Sequence, residues 1–268
     1  MNQHRPRGFT LIELVIVIGI IAVLMGLLMA AMEIARHKGY IDVCASNLRQ
    51  IGQAIAMYTN DNHGNYPRTI YVAGATPVAG TGAAAPDAFH GGVSANDVTS
   101  PLWLLARNQK LPTKSFICPY NDVNEFEVDS GNPATQANFT NFAKNLGYSY
   151  ANPYPDDSAV AKGYKLTGKA GSNFAIMADL NPGVSTLRKA DVFLPNATSA
   201  KSDMMMANSE NHEREGENVL FGDGHVVYVP NPFCGVNQDN IYTAQGATKP
   251  NLFVSPSNAN DSVLLPVD

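Results

Sequence analysis

The sequence predicts an α+β chain in which one long N-terminal helix, half membrane anchor and half amphipathic, packs on a small antiparallel β-sheet head. Three observations carry that prediction. Residues 14–32 contain no charged side chain; Ile41, Cys44, Leu48, Ile51, Ile55 and Tyr58 then recur at helical spacing; and Asp223-Gly224 stands between two short apolar runs. Length agrees, since 268 residues leave room for one soluble domain beside an anchor.

The anchor comes first. At about 1.5 Å per residue the uncharged run reaches roughly 28 Å, the thickness of a hydrocarbon core. A cleaved secretory signal fits less well, because such apolar regions are about 7–15 residues long and end in an A-x-A step that is missing here. Arg5 and Arg7 on one side face Arg36 and Lys38 on the other, so flanking charge does not fix orientation. The Asn- and Pro-rich C-terminal part is the segment expected on the translocated side. Glu13 is the one charge within residues 8–32. It either snorkels to the headgroups or waits for a cation that another subunit supplies, since a paired carboxylate loses less on leaving water.

The stretch "RGFTLIELVIVIGIIAVL" resembles the leader and first helix of type IV pilins and type II secretion pseudopilins, with a short basic leader, then Gly8, Phe9 and Glu13. The resemblance implies cleavage after Gly8 by a prepilin peptidase on the cytoplasmic side and N-methylation of the new Phe9 amine. It also implies that Glu13 meets the terminal amine of a neighbour during filament assembly. One departure is the absence of a proline late in the apolar half, where Gly19 and Gly26 are the only helix breakers.

Beyond the anchor, the striped face carries the helix to about Asn60, with Asn62, Gly64 and Pro67 as stop signals. The expected division is a leader at 1–8, the helix at 9–64 with its anchor at about 9–32, a β-rich head at 65–254 and a loosely held polar tail at 255–268, Val263 to Leu265 excepted. Residues 71–100, rich in Gly, Ala, Pro and Thr, read as an exposed loop. Gly80, Gly82 and Ala85 within it approach a dinucleotide fingerprint but lack the flanking strand and helix. Ser100 is expected to cap a short helix with Pro101 at its first position and Trp103 in the core. Strands are expected at 116–118, 146–151 and 174–178, and as a hairpin of 218–221 and 225–229.

Composition and motifs limit the chemistry. A net charge of −5, more acidic once Arg5 and Arg7 are removed, disfavours phosphate tracking, so no nucleic acid is expected as a partner. Three cysteines are too few for a disulfide scaffold and lack C-x-x-C spacing, leaving at most one bridge and a spare thiol. "CASNLRQIGQAIAMYTNDNHGNYP" is similar to a large group of pilin-like proteins in which a "CP" step recurs, matched here by Cys118-Pro119. That likeness implies a Cys44–Cys118 disulfide, with two buried thiols as the alternative. "NHEREGENVLFGDGHV" resembles the same group's C-terminal motif, a His followed after nine residues by Asp-Gly, although ten residues separate His212 from Asp223 here.

His212, Asp223, Gly224 and His225, with Asp179, therefore invite a test as a metal or acid–base site. The simpler reading has Asp223 making the turn and His212 pinning its loop by hydrogen bonds to it, and it is preferred because no H-E-x-x-H, G-x-S-x-G or phosphate loop occurs. Asp122, Asn124, Glu127 and Asp129 offer oxygen ligands for calcium, but without an EF-hand glycine they read as a solvated acidic loop. No cofactor and no catalytic residue is expected. The functional expectation is a structural subunit of a type II secretion pseudopilus or type IV pilus-like filament, single-pass in the bacterial cytoplasmic membrane with its head outside. Its partners would be prepilin peptidase and other subunits. The alternative is a monomeric membrane-tethered binding protein or hydrolase.

Overall fold

Helix α1 runs unbroken over Leu11–Asp61 in the computed structural model, which describes residues 9–119, 126–183, 195–196, 198–246 and 253–266. No proline interrupts residues 9–61, so nothing in the backbone forces a stop or kink. The chain divides into two compact units, Met1–Gly39 and Tyr40–Asp268.

In the first unit the apolar run is helical and bare. Every described side chain from 9 to 36 is exposed, and the segment is long and apolar enough to cross a membrane. A helix apolar on all faces, with its described side chains exposed, needs lipid or other subunits as solvent.

In the second unit the stripe works as its spacing predicts. Cys44, Leu48, Ile51, Ile55 and Tyr58 are buried in the main core, and Ile41 is half-buried. Each buried Leu- or Ile-sized side chain contributes about 1.5–3 kcal/mol. Gly52 brings helix and sheet together: a Cβ there would stand 3.0 Å from Leu220 Cδ1. The core they share also contains α2 (Ser100–Asn108), whose Trp103 is fully buried, edge-on to Phe139, with its indole N–H donating to Gln136 O at 3.0 Å.

Five antiparallel strands form one sheet in the order β4-β3-β2-β1-β5: β1 (Tyr148–Ala151), β2 (Ala175–Asp179), β3 (Glu217–Phe221), β4 (Val226–Val229) and β5 (Leu264–Leu265). The three middle strands are buried throughout, which explains their near-continuous apolar runs. Leu264 joins the main core and Leu265 a second cluster with Val98, Tyr154 and Val263, as alternation along a strand requires.

Several expectations need correction. Residues 116–118 form no strand: a 3-10 turn at Thr113–Phe116 leads into extended backbone, and Phe116 O accepts one bond, from Gly147 N–H at 2.8 Å. Pro119 removes the next donor on that segment. Ser100 is already helical and does not cap; the Asp97 carboxylate accepts from the Thr99 and Ser100 N–H groups instead. Asp97, fully buried, also takes Thr81 N–H and Oγ1–H, so the 71–100 segment is irregular but organised around a carboxylate rather than simply exposed. In the tail, Leu264 and Leu265 pair with Tyr150 and Ala151, within the exception made for 263–265, but the residues before them are held more closely than their polarity suggests, since Asp261 accepts from Ser257 and Gln245 N–H.

Candidate functional site

At the start of α1, Thr10 and Glu13 form a capping box. Glu13 Oε2 accepts from Thr10 N–H at 2.9 Å and from Thr10 Oγ1–H at 2.8 Å, while Glu13 N–H donates to Thr10 Oγ1 at 3.3 Å. The T-x-x-E spacing produces this directly, by satisfying amides that a helix start leaves without partners. Within a single chain, then, the lone carboxylate of the apolar run has a local partner, and Phe9 beside it is exposed.

A second constellation lies in the head. Cys44, Cys118, Asp179 and His212, all buried, bring one potential ligand atom each to within 4.8 Å of the others. Cys44 Sγ and Cys118 Sγ are 2.7 Å apart, beyond the length of a disulfide bond and inside the contact distance of two separate sulfurs. His212 Nε2 lies 3.8 Å from Cys118 Sγ and 3.4 Å from Asp179 Oδ2. The four come from four separate segments. Cys44 sits on the inward stripe of α1. Cys118 follows the 3-10 turn and presses against Gly147, where a Cβ would stand 2.7 Å from the Cys118 nitrogen. Asp179 ends β2, its Oδ2 accepting from the backbone N–H (2.7 Å) and side-chain amide (3.3 Å) of Asn218 on β3, while its Oδ1 has no hydrogen-bond partner among the described residues.

His212 reaches the cluster through an unusual turn. His212, Glu213 and Arg214 have φ of 57°, 58° and 59°, three successive left-handed residues, none of them glycine. Each costs about 1–2 kcal/mol. The strain turns the imidazole inward, and Arg214 pairs with Glu210 across the same loop. Burial disfavours the imidazolium, but the Asp179 carboxylate and then the Cys44 sulfur outweigh it and push His212 up to about 10. Burial likewise opposes ionising Cys44, while the Cys118 thiol and His212 favour it and hold the thiol below its ordinary range. A row of thiol, imidazole and carboxyl groups resembles a nucleophilic triad in composition, but its members are 0–2 % exposed, so no substrate reaches the sulfur in this conformation. Three open clefts elsewhere on the head, among them one of about 1000 Å³ lined by His63, Arg68 and Lys165, include none of the four.

The expected pairing of His212 with Asp223 does not occur. Asp223 and His225 lie exposed at the β3–β4 turn, where Asp223 Oδ1 contacts His225 Nδ1 and accepts its backbone N–H, and Gly224 supplies the positive φ of 89°. These two contacts lower the Asp223 pKa. His225 stacks on Phe221 rather than joining a ligand set. Of the calcium candidates, Asp122 and Asn124 lie outside the described residues. Glu127 is exposed and pairs with Lys144, and both oxygens of Asp129 accept bonds from its own loop, from Gly131 N–H and Thr140. The sequence thus put Asp179 beside His212, as the structure does, but added Asp223 and His225 in place of the two cysteines; the signal for Asp179 was a carboxylate ending an apolar strand, after "AIMA".

The family model for the prokaryotic N-terminal methylation motif matches residues 3–29. No curated protein and no solved structure matches the chain. The matched motif, continued by a long apolar helix and a small five-stranded antiparallel sheet, supports a type IV pilin- or pseudopilin-like protein processed by prepilin peptidase.

Proposed function

We propose that this chain is a structural subunit of a pilin-type filament, a type II secretion pseudopilus or a type IV pilus-like fibre, built through its N-terminal helix. The observation that carries the reading is a bare, all-round apolar helix start with one carboxylate, Glu13, four residues after Phe9. Prepilin peptidase cuts after Gly8, Phe9 becomes the methylated N-terminus, and the helix is held in the cytoplasmic membrane with the head outside. During assembly Glu13 exchanges its Thr10 donors for the Phe9 ammonium of an adjacent subunit. Each charge then relieves the other's desolvation, and only one axial offset permits the pair. The exposed apolar face of residues 11–34 is covered by the same faces of neighbours. A structural role accords with the inaccessibility of the buried cysteines and histidine.

The test compares membrane abundance with recovery in sheared or crosslinked filaments, in cells that also make the parent chain. Glu13→Ala and Glu13→Val should reach the membrane as well as the parent and fail to enter filaments; Glu13→Asp should be partly defective. Normal assembly of the apolar variants would leave a tethered monomer as the better account. Intact mass decides processing separately, since a mature chain that keeps Met1 would exclude cleavage at Gly8.

A further inference from the structure

We propose that Cys44, Cys118, Asp179 and His212 form a closed site for one zinc-type divalent cation, which ties helix α1 to the sheet of the head. Two sulfurs, one imidazole nitrogen and one carboxylate oxygen converge from four segments, with every pair of ligand atoms within 4.8 Å. Around a tetrahedral zinc with bonds of about 2.0–2.3 Å, neighbouring ligand atoms stand roughly 3.3–3.8 Å apart. The His212–Asp179 separation of 3.4 Å and the Cys118–His212 separation of 3.8 Å already fall in that range. The sulfurs, at 2.7 Å, must part by about 1 Å to admit the ion.

The donor set selects the metal class. Two thiolates and an imidazole suit zinc and exclude the all-oxygen cages that calcium and magnesium require. Four protein ligands, each buried, leave no open position for water or substrate, which is the arrangement of a structural rather than a catalytic ion. A disulfide between the cysteines is the rival occupant. It explains two of the four groups, but gives the buried His212–Asp179 pair beside the sulfurs no part in the bond. A cation accounts for all four. It also accounts for the left-handed turn at His212–Arg214, whose strain is retained where a side chain must be aimed. Asn218 supplies the outer support, fixing Asp179 Oδ2 with two donors.

The full chain, purified in detergent with a non-chelating phosphine under inert gas, should bind one equivalent of Zn²⁺. Co²⁺ in its place should give thiolate-to-cobalt charge transfer and the intense visible bands of a tetrahedral ion. In competition with a chromogenic chelator, Cys44→Ser, Cys118→Ser, Asp179→Asn and His212→Gln should each weaken zinc binding by about tenfold or more, while Cys234→Ser should not. Failure of the reduced parent chain to take up zinc would overturn the site without reference to any variant. So would parent-like affinity in both Asp179→Asn and His212→Gln. Protein isolated without reductant that carries no metal and a complete Cys44–Cys118 bridge on peptide mapping would show the disulfide to be the occupant.

Discussion

Residues 11–34 and residues 41–58 lie on the same uninterrupted helix, yet the first stretch exposes every described side chain and the second buries Cys44, Leu48, Ile51, Ile55 and Tyr58. The two stretches differ in how their apolar residues are arranged. An apolar surface on all sides has no face left for water, so its partners must come from lipid or from other chains. A stripe three and four residues wide leaves a polar back and is satisfied by the chain's own sheet. The same contrast marks the glycines: a Cβ added at Gly26 would meet nothing within 4 Å, whereas Gly52 sits against Leu220.

The sharpest test of that contrast is a matched pair of truncations. Leu48→Ala should destabilise the head by about 2–5 kcal/mol in urea unfolding of the detergent-solubilised chain, while Leu24→Ala should leave the same transition unmoved. Equal losses would mean that the first stretch also contributes to the head. A second pair works by addition. Gly52→Val should cost about 1–3 kcal/mol through crowding of Leu220, and Gly26→Val should cost the head nothing, both read from the same unfolding curves.

Titration separates the regions on a smaller scale. Burial, and then the nearby Asp261, raise Asp239 to about 7. An acid whose folded pKa is raised does not oppose folding below its unfolded value near 3.8. It erodes stability progressively as pH rises from there to about 7. Asp239→Asn should therefore raise Tm at pH 8, leave it unchanged near pH 3.5, and flatten the profile between; a uniform shift at both pH values would refute the linkage. The gain is modest because the group is half-buried and screened. Smallest of all, Thr10→Ala removes one arm of the capping box and should fray only the first turn of α1, seen as faster amide exchange at residues 11–13, with head stability untouched.

What was legible in the sequence was what short spacings encode. The uncharged run, the helical stripe and the Asp-Gly hairpin each declare themselves within about twenty residues, and α1 and the β3–β4 pair formed as read. The Cys44, Cys118, Asp179 and His212 cluster was legible only in halves, Cys44 with Cys118 from the resemblance and His212 with Asp179 as a candidate pair, because the halves meet only where helix α1 packs on the ordered sheet. His212 was assigned to Asp223 by nearness in sequence. Three left-handed residues send it the other way, a turn that no local pattern of non-glycine residues announces. Residues 116–118 look like a strand by composition, but Pro119 and a single bond to Gly147 leave them outside the sheet.

The two-residue strand β5 gives the head a dependence on the order in which the chain is made. β1 lies between β2 and β5, so its outer edge stays open after residues 40–229 have met, until Leu264 and Leu265 arrive to cover Tyr150 and Ala151. During synthesis that interval presents an unpaired strand edge to any other emerging chain, a ready template for wrong pairing. The brevity of β1 limits the hazard, since a strand from Tyr148 to Ala151 offers an intruder only a short register to copy.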